Sequence, residues 1–166
     1  MSIENYRWLA ALIAAHPDCE VFGRTRLQKE VKLLQRIGFP THYDYMIHFY
    51  GPYSESLHSD IGLLEAFGFI VQTAEPTKEG NPCYKLSAQE RPDLPSVAEY
   101  RGAIARLHGE PTVVLELAAT YDAFRDMGSD HAEAIERLRR KKGAKCDEGN
   151  QERALELLES LGLPVA

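Results

Sequence analysis

Apolar residues recur every three or four positions over most of this chain and alternate only in short stretches, so helices are expected to dominate. Leu9, Leu12 and Ile13, set among alanines, predict a first helix over 3–15 that stops at His16-Pro17. A short loop through Gly23 follows. Leu27, Val31 and Leu34 predict a second helix over 24–37, closed by Gly38 and Pro40. Between Tyr43 and Tyr50 the pattern becomes β-favouring, with Tyr45, Ile47 and Phe49 alternating with Met46, His48 and Tyr50, and predicts a short strand ended by Gly51-Pro52. Leu57, Ile61, Leu64 and Phe67 give a third helix over 54–67 its core face, with Ser54 as N-cap and Gly68 just past its end. Residues 69–73 and 83–86 read as two strands joined by a polar turn, which together make a wing.

Helix, helix, short strand, helix, hairpin is the element order of a winged helix-turn-helix. The fold class expected is therefore mainly α with a small β component: a winged-helix core over 1–90 and a C-terminal helical extension over 91–166 packed on it as one domain. The boundary is Arg91-Pro-Asp-Leu-Pro95, where two prolines continue neither a strand nor a helix interior. Four further helices are expected over 96–107, 112–127, 130–142 and 150–161, with Thr112 and Asp130 at N-cap positions.

Charge complicates this scaffold. A winged helix reads DNA with its third helix, yet residues 54–67 contain no Lys or Arg and carry Glu55, Asp60 and Glu65. Phosphates repel bare carboxylates, and no counterions are released to drive binding. The 166-residue chain has a formal net charge of −6, which is not that of a basic nucleic-acid module. Three scattered cysteines form no C-x-x-C pair, and no apolar run is long enough to cross a membrane. A soluble cytoplasmic protein is expected, with no membrane partner.

Positive charge is concentrated elsewhere. Arg24, Arg26, Lys29, Lys32 and Arg36 form a stripe on the second helix, for which a solvated helix face is the default and an anionic partner or a phosphate backbone the alternative. Arg137, Arg139, Arg140, Lys141, Lys142 and Lys145 make a second run with no acid among them. Its place at a helix C-terminus is favoured by the helix dipole, and it too could meet an anion or nucleic acid.

The block Gly23-Arg-Thr-Arg-Leu-Gln-Lys29, then Leu33-Leu34, Tyr43-x-Tyr45, Phe49-Tyr-Gly-Pro-Tyr-Ser54, Leu57 and Asp60, resembles the YwgA-like family of bacterial winged-helix proteins. Leu115-Glu-Leu-Ala-Ala-Thr-Tyr121, the basic stretch from Arg137 to Lys142, and the segment from Ala154 to Leu163 extend the resemblance over nearly the whole chain. Similar domains are the module fused to the macrodomain of DarG-type antitoxins and the Panacea-type antitoxin domain. The resemblance implies a scaffold that holds a protein partner; the macrodomain itself has no counterpart here.

The functional reading is a non-enzymatic protein-binding module of antitoxin or adaptor type. It would meet a basic protein partner, such as a toxin, through Tyr50, Tyr53, Glu55, His58, Asp60 and Glu65. The alternative is a DNA-binding regulator docking through the basic second helix and the wing. A homodimer is compatible with both, because 150–161 can pack across a two-fold axis. No catalytic constellation, cofactor motif or metal-spaced His and Cys set is found: His58 and Asp60, two apart on a helix, point in different directions.

Overall fold

The computed structural model describes residues 3–80 and 82–166. Among these are seven α-helices and five short strands: α1 (Ile3–Ala14), β1 (Glu20–Phe22), α2 (Arg24–Arg36), β2 (Met46–His48), β3 (Gly51–Tyr53), α3 (Glu55–Ala66), β4 (Ile70–Glu75), β5 (Cys83–Ala88), α4 (Arg101–His108), α5 (Thr112–Asp126), α6 (His131–Lys142) and α7 (Asn150–Ser160). The molecule is thus mainly α with small antiparallel sheets. No described helix is long and apolar enough to cross a membrane.

α5 sits at the centre. Every residue from Val114 to Phe124 is buried, as expected of a helix apolar almost all round. Its few polar side chains are satisfied inside: Thr120 donates to the Glu116 carbonyl at 2.7 Å, and Asp122 accepts from Arg36 Nε at 2.8 Å. One apolar cluster runs from Leu9 and Leu12 of α1 through Leu27 and Leu34 of α2 and Leu57 and Leu64 of α3 to Leu138 of α6 and Leu158 of α7. Elements on both sides of the Arg91–Pro95 segment therefore share one core.

Two sheets accompany the helices. β4 and β5 pair antiparallel, as the wing reading expects, and β1 adds a third strand with Val21 opposite Leu86, giving the order β1-β5-β4. Sequence placed 20–22 in a loop, because a three-residue strand with one inward side chain is too short to show a period. Gly51-Pro52 was expected to end a strand but lies within β3, which returns on β2 as a hairpin with Met46 opposite Tyr53 and His48 opposite Gly51. Proline is tolerated there because the sheet has only two strands and β3 keeps a free edge.

Local caps explain most remaining differences. Ser54 caps α3 by accepting from Leu57 N, and Asp130 caps α6 by accepting from Glu133 N. Thr112 is the first helical residue of α5, with Pro111 in the cap position, so the expected cap there does not form. The helix expected over 96–107 is helical only from Arg101, after one 3-10 turn over Ala98–Tyr100. That turn lets the Tyr100 hydroxyl donate to the Gly38 carbonyl at 2.8 Å. Phe67, expected in the core, is the C-cap residue of α3 and is exposed, with its ring edge-on to Tyr6 at 6.0 Å.

A buried ion pair ties α1 to α2. His16 Nδ1 lies 2.8 Å from the Leu12 carbonyl and Nε2 lies 2.8 Å from Glu30 Oε2. A carbonyl and a carboxylate only accept, so the ring donates from both nitrogens as an imidazolium. Burial opposes that charge, but the hydrogen bond and charge of Glu30 outweigh it and hold the His16 pKa above its usual value. Arg26 completes the group, with Nε 3.3 Å from Glu30 Oε1.

Candidate functional site

The β2–β3 hairpin is the most unusual part of the surface. Phe49 is 91% exposed, Met46 70% and Tyr50 63%, three large apolar side chains within five positions of chain. Exposed apolar residues scattered singly need no explanation, but a cluster on one projecting turn marks a contact surface. The Tyr53 ring lies 5.1 Å from the His48 ring and 6.1 Å from the His58 ring. Glu55, exposed on the first turn of α3, lies close enough to the Tyr53 hydroxyl to help raise its pKa, although burial contributes more.

What holds the turn is buried charge. Lys29 Nζ donates to the Pro52 carbonyl at 2.6 Å, and Lys142 Nζ donates to the Phe49 carbonyl at 2.9 Å, so two ammonium groups grip the backbone on either side of Gly51. Lys142 also donates to Glu116 Oε1 at 2.6 Å, and Lys145 to Glu116 Oε2 at 3.1 Å. Glu116 faces Lys29 as well, so one carboxylate serves three cations. Burial lowers the Lys29 pKa to about 8 against the opposing pull of Glu116, and it lowers that of Lys142 too.

Gly51 is required twice over. Its φ is +88°, and a Cβ there would collide with the Thr120 hydroxyl on α5. The Gln28 side chain brackets the next corner, donating to the Ser54 carbonyl at 2.8 Å and accepting from Ser54 N at 2.9 Å. The exposed tip therefore stands on a rigid base, the condition for an interface anchor that loses little entropy on binding.

Of the six residues expected to face a protein partner, Tyr50, Tyr53, Glu55 and His58 are brought together on the hairpin and the start of α3. Asp60 departs from expectation: it is 2% exposed and accepts from the Tyr43 hydroxyl at 2.7 Å, so it braces the core instead of facing a partner. Burial raises its pKa, with Tyr43 opposing. Glu65 is exposed, yet it accepts from Gln72 N at 2.9 Å on the free edge of β4. Its carboxylate is engaged in shielding a strand edge.

The α2 stripe also departs from a solvated face. Lys29 is buried under the hairpin. Arg26 donates to the carbonyls of Leu107 at 2.7 Å and Glu110 at 2.8 Å and so fastens the end of α4. Arg36 is paired with Asp122 at 2.8 Å, and Lys32 lies 5.6 Å from the centre of the Tyr45 ring. Arg24 stacks on Tyr84 at 3.8 Å and donates to Gln72 Oε1. All five cations are used within the chain.

The second basic run is divided. Arg137 stacks on Phe124 at 4.1 Å, and Lys142 is buried. Arg139, Arg140 and Lys141 are exposed; Arg139 donates to Gln151 and Arg140 pairs with Glu136 at 2.6 Å. The two basic segments meet at Lys29, Lys142 and Glu116. Sequence singled out both lysines but not Glu116, whose signal was a lone acid in the apolar run of α5. It also missed Met46 and Phe49 as surface residues, because strand alternation makes an aromatic look like core.

Beside the hairpin a groove of about 300 Å³ is lined by Lys32, Tyr45, Met46, Pro52, Ala123 and Met127. Cys19, Cys83 and Cys146 are free thiols, and no group of three or more His, Cys, Asp or Glu among the described residues is arranged to hold a metal ion. No family model matches the chain. A Bacillus subtilis (strain 168) protein described as "Uncharacterized protein YwgA" is 32% identical over 117 residues, which span 64% of this chain and 69% of that protein.

Proposed function

The chain belongs to the YwgA family, and from that premise and the geometry of the hairpin we propose a non-enzymatic protein-binding module of antitoxin or adaptor type on a winged-helix scaffold. The order α1-β1-α2-α3-β4-β5, with the β2–β3 hairpin inserted between α2 and α3 and β1 added as the third strand beside β5, supports the scaffold reading. One observation carries the function: Met46, Phe49 and Tyr50 project into solvent from a turn whose backbone is clamped by Lys29 and Lys142. Aromatic side chains on a rigid support are the usual energetic centre of a protein interface. Glu55 is the acidic group on that face best placed to orient a basic partner such as a toxin.

A photo-crosslinking residue at Met46 tests the reading in the native host. A discrete protein adduct is expected, whose purified component binds the chain and loses at least about tenfold in affinity on Tyr53→Ala, the effect of removing an interface anchor. Adducts confined to nucleic acid, or binding indifferent to Tyr53→Ala and Glu55→Lys, would refute it.

The second reading is a duplex-DNA regulator docking through α2 and the wing. Arg139, Arg140 and Lys141 are exposed to meet phosphates but lie on α6, outside both docking elements, and the internal use of the five α2 cations counts against the reading. A mobility shift at low salt distinguishes the two, since a phosphate-contacting protein already associates nonspecifically at about micromolar to 100 micromolar concentration.

A further inference from the structure

We infer that the tip of the hairpin is a stacking platform for single-stranded nucleic acid, with Phe49 and Tyr50 taking bases and Lys141 and Lys145 taking the phosphates beside them. The argument begins with which groups the fold brings together. Phe49 and Tyr50 are consecutive, 91% and 63% exposed, and sit at the turn of a two-stranded hairpin. The Phe49 carbonyl is held by Lys142, the last residue of α6, and the Lys145 ammonium lies 5.3 Å from the centre of the Tyr50 ring. Residues 93 positions apart in the chain thus bring the Phe49 backbone and the Tyr50 ring to the foot of the basic run, with the Phe49 ring exposed beside them.

The sign of the local field supports an anionic ligand. Lys29, Lys142 and Lys145 share the single carboxylate of Glu116, which leaves the base of the tip with an excess of positive charge. Lys141 is exposed next to it, and positions 137–145 contain no acid. Aromatic faces beside a positive track are what a single strand needs: every base has a face to stack, and the backbone follows the cations. A duplex offers no free faces to such a tip. An acidic peptide would satisfy the lysines but offers no succession of planar faces to Phe49 and Tyr50, and it is the competitor in the test.

This site shares Phe49 and Tyr50 with the proposed protein-binding face but is tested apart from it, since it uses neither Tyr53 nor α3. Fluorescence anisotropy with the full chain tests it, using labelled oligo-dT and oligo-rU of about 15 nucleotides, a duplex of equal length and a poly-Glu peptide. Saturable binding of a single strand at low salt is expected. Phe49→Ala with Tyr50→Ala should weaken it at least about tenfold, and Lys141→Glu with Lys145→Glu should flatten its salt dependence. Phe49 and Tyr50 are exposed, so an unchanged melting temperature for that pair checks that the fold is intact. No single-strand binding, equal binding by the double alanine variant, or preference for the duplex or the peptide would overturn the inference. Tyr53→Ala leaves oligonucleotide binding unchanged if the two sites are separate and reduces it if the stacking surface is misassigned.

Discussion

The two cationic segments look alike in sequence and are used in opposite ways. α2 carries Arg24, Arg26, Lys29, Lys32 and Arg36, and the fold turns all five to neighbouring elements. α6 and the turn after it carry six cations, of which Arg139, Arg140, Lys141 and Lys145 stay at the surface. The difference lies in what packs over each helix. α2 is covered by α5, the hairpin and α4, so its polar face has lost much of its solvent and turns to acids and carbonyls instead. α6 lies at the periphery and buries Ala134, Leu138 and Lys142 along one side only. A run of Lys and Arg is therefore a structural fastener where another layer covers it, and a binding surface only where none does.

The largest test of this contrast is at the point where the two segments meet. Glu116→Ala leaves Lys29 and Lys142 buried without a counter-charge, and should cost about 3–5 kcal/mol of folding stability in a denaturant melt. If it costs less than about 1 kcal/mol, the cluster is hydrated and the clamp argument is wrong.

A smaller effect is expected from the fastener on the far side of α2. Arg36→Ala strands the fully buried Asp122 carboxylate, and a loss of about 2 kcal/mol is expected, reduced because the arginine is partly exposed.

His16 sharpens the comparison through pH. Its folded-state pKa is raised, so its stabilisation is complete below the unfolded value of about 6.5 and is lost as pH rises through the folded value. The stability gap between wild type and His16→Gln should therefore narrow from neutral pH toward alkaline. Taking the difference removes the contribution of Lys29, whose lowered pKa adds stability from about 8 upward in both proteins. An imidazole NMR titration that places the folded His16 pKa at or below about 6.5 would contradict the ion pair.

The smallest effect belongs to the surface run. Arg140→Ala breaks an i,i+4 pair with Glu136 in which both side chains are about 70% exposed, and stability should change by no more than about 0.5 kcal/mol. A change above about 1 kcal/mol would mean that α6 is braced by its charges and is not a free surface.

Much of the architecture could be read from periodicity. Six of the seven helices start within a residue or two of where Leu and Ala spacing places them, and the β4–β5 pair follows from its polar turn. β1 could not be read, because three residues show no period and the strand it pairs with, β5, is distant in the sequence. At the site, Tyr50, Tyr53, Glu55 and His58 were legible as a group since they lie on adjacent elements. Asp60 was misread because one turn of helix decides whether a carboxylate sees solvent or Tyr43. Glu116 was passed over because its partners lie 26 and 29 positions away on another helix and in the turn that follows it.

By itself, then, the sequence determined the helix periods, the caps at Ser54 and Asp130, and the unusual backbone angle that Gly51 permits before Pro52, since these depend on residues within a turn or two of one another. Only the tertiary structure decided which charges are surface and which are struts. A Lys or Arg has the same propensity in either place, and its role is settled by whether a helix remote in sequence removes its water and supplies a carbonyl or carboxylate in exchange. That exchange withdraws Lys29 and Lys142 from solvent, and in doing so it presents Phe49 and Tyr50 to whatever this protein binds.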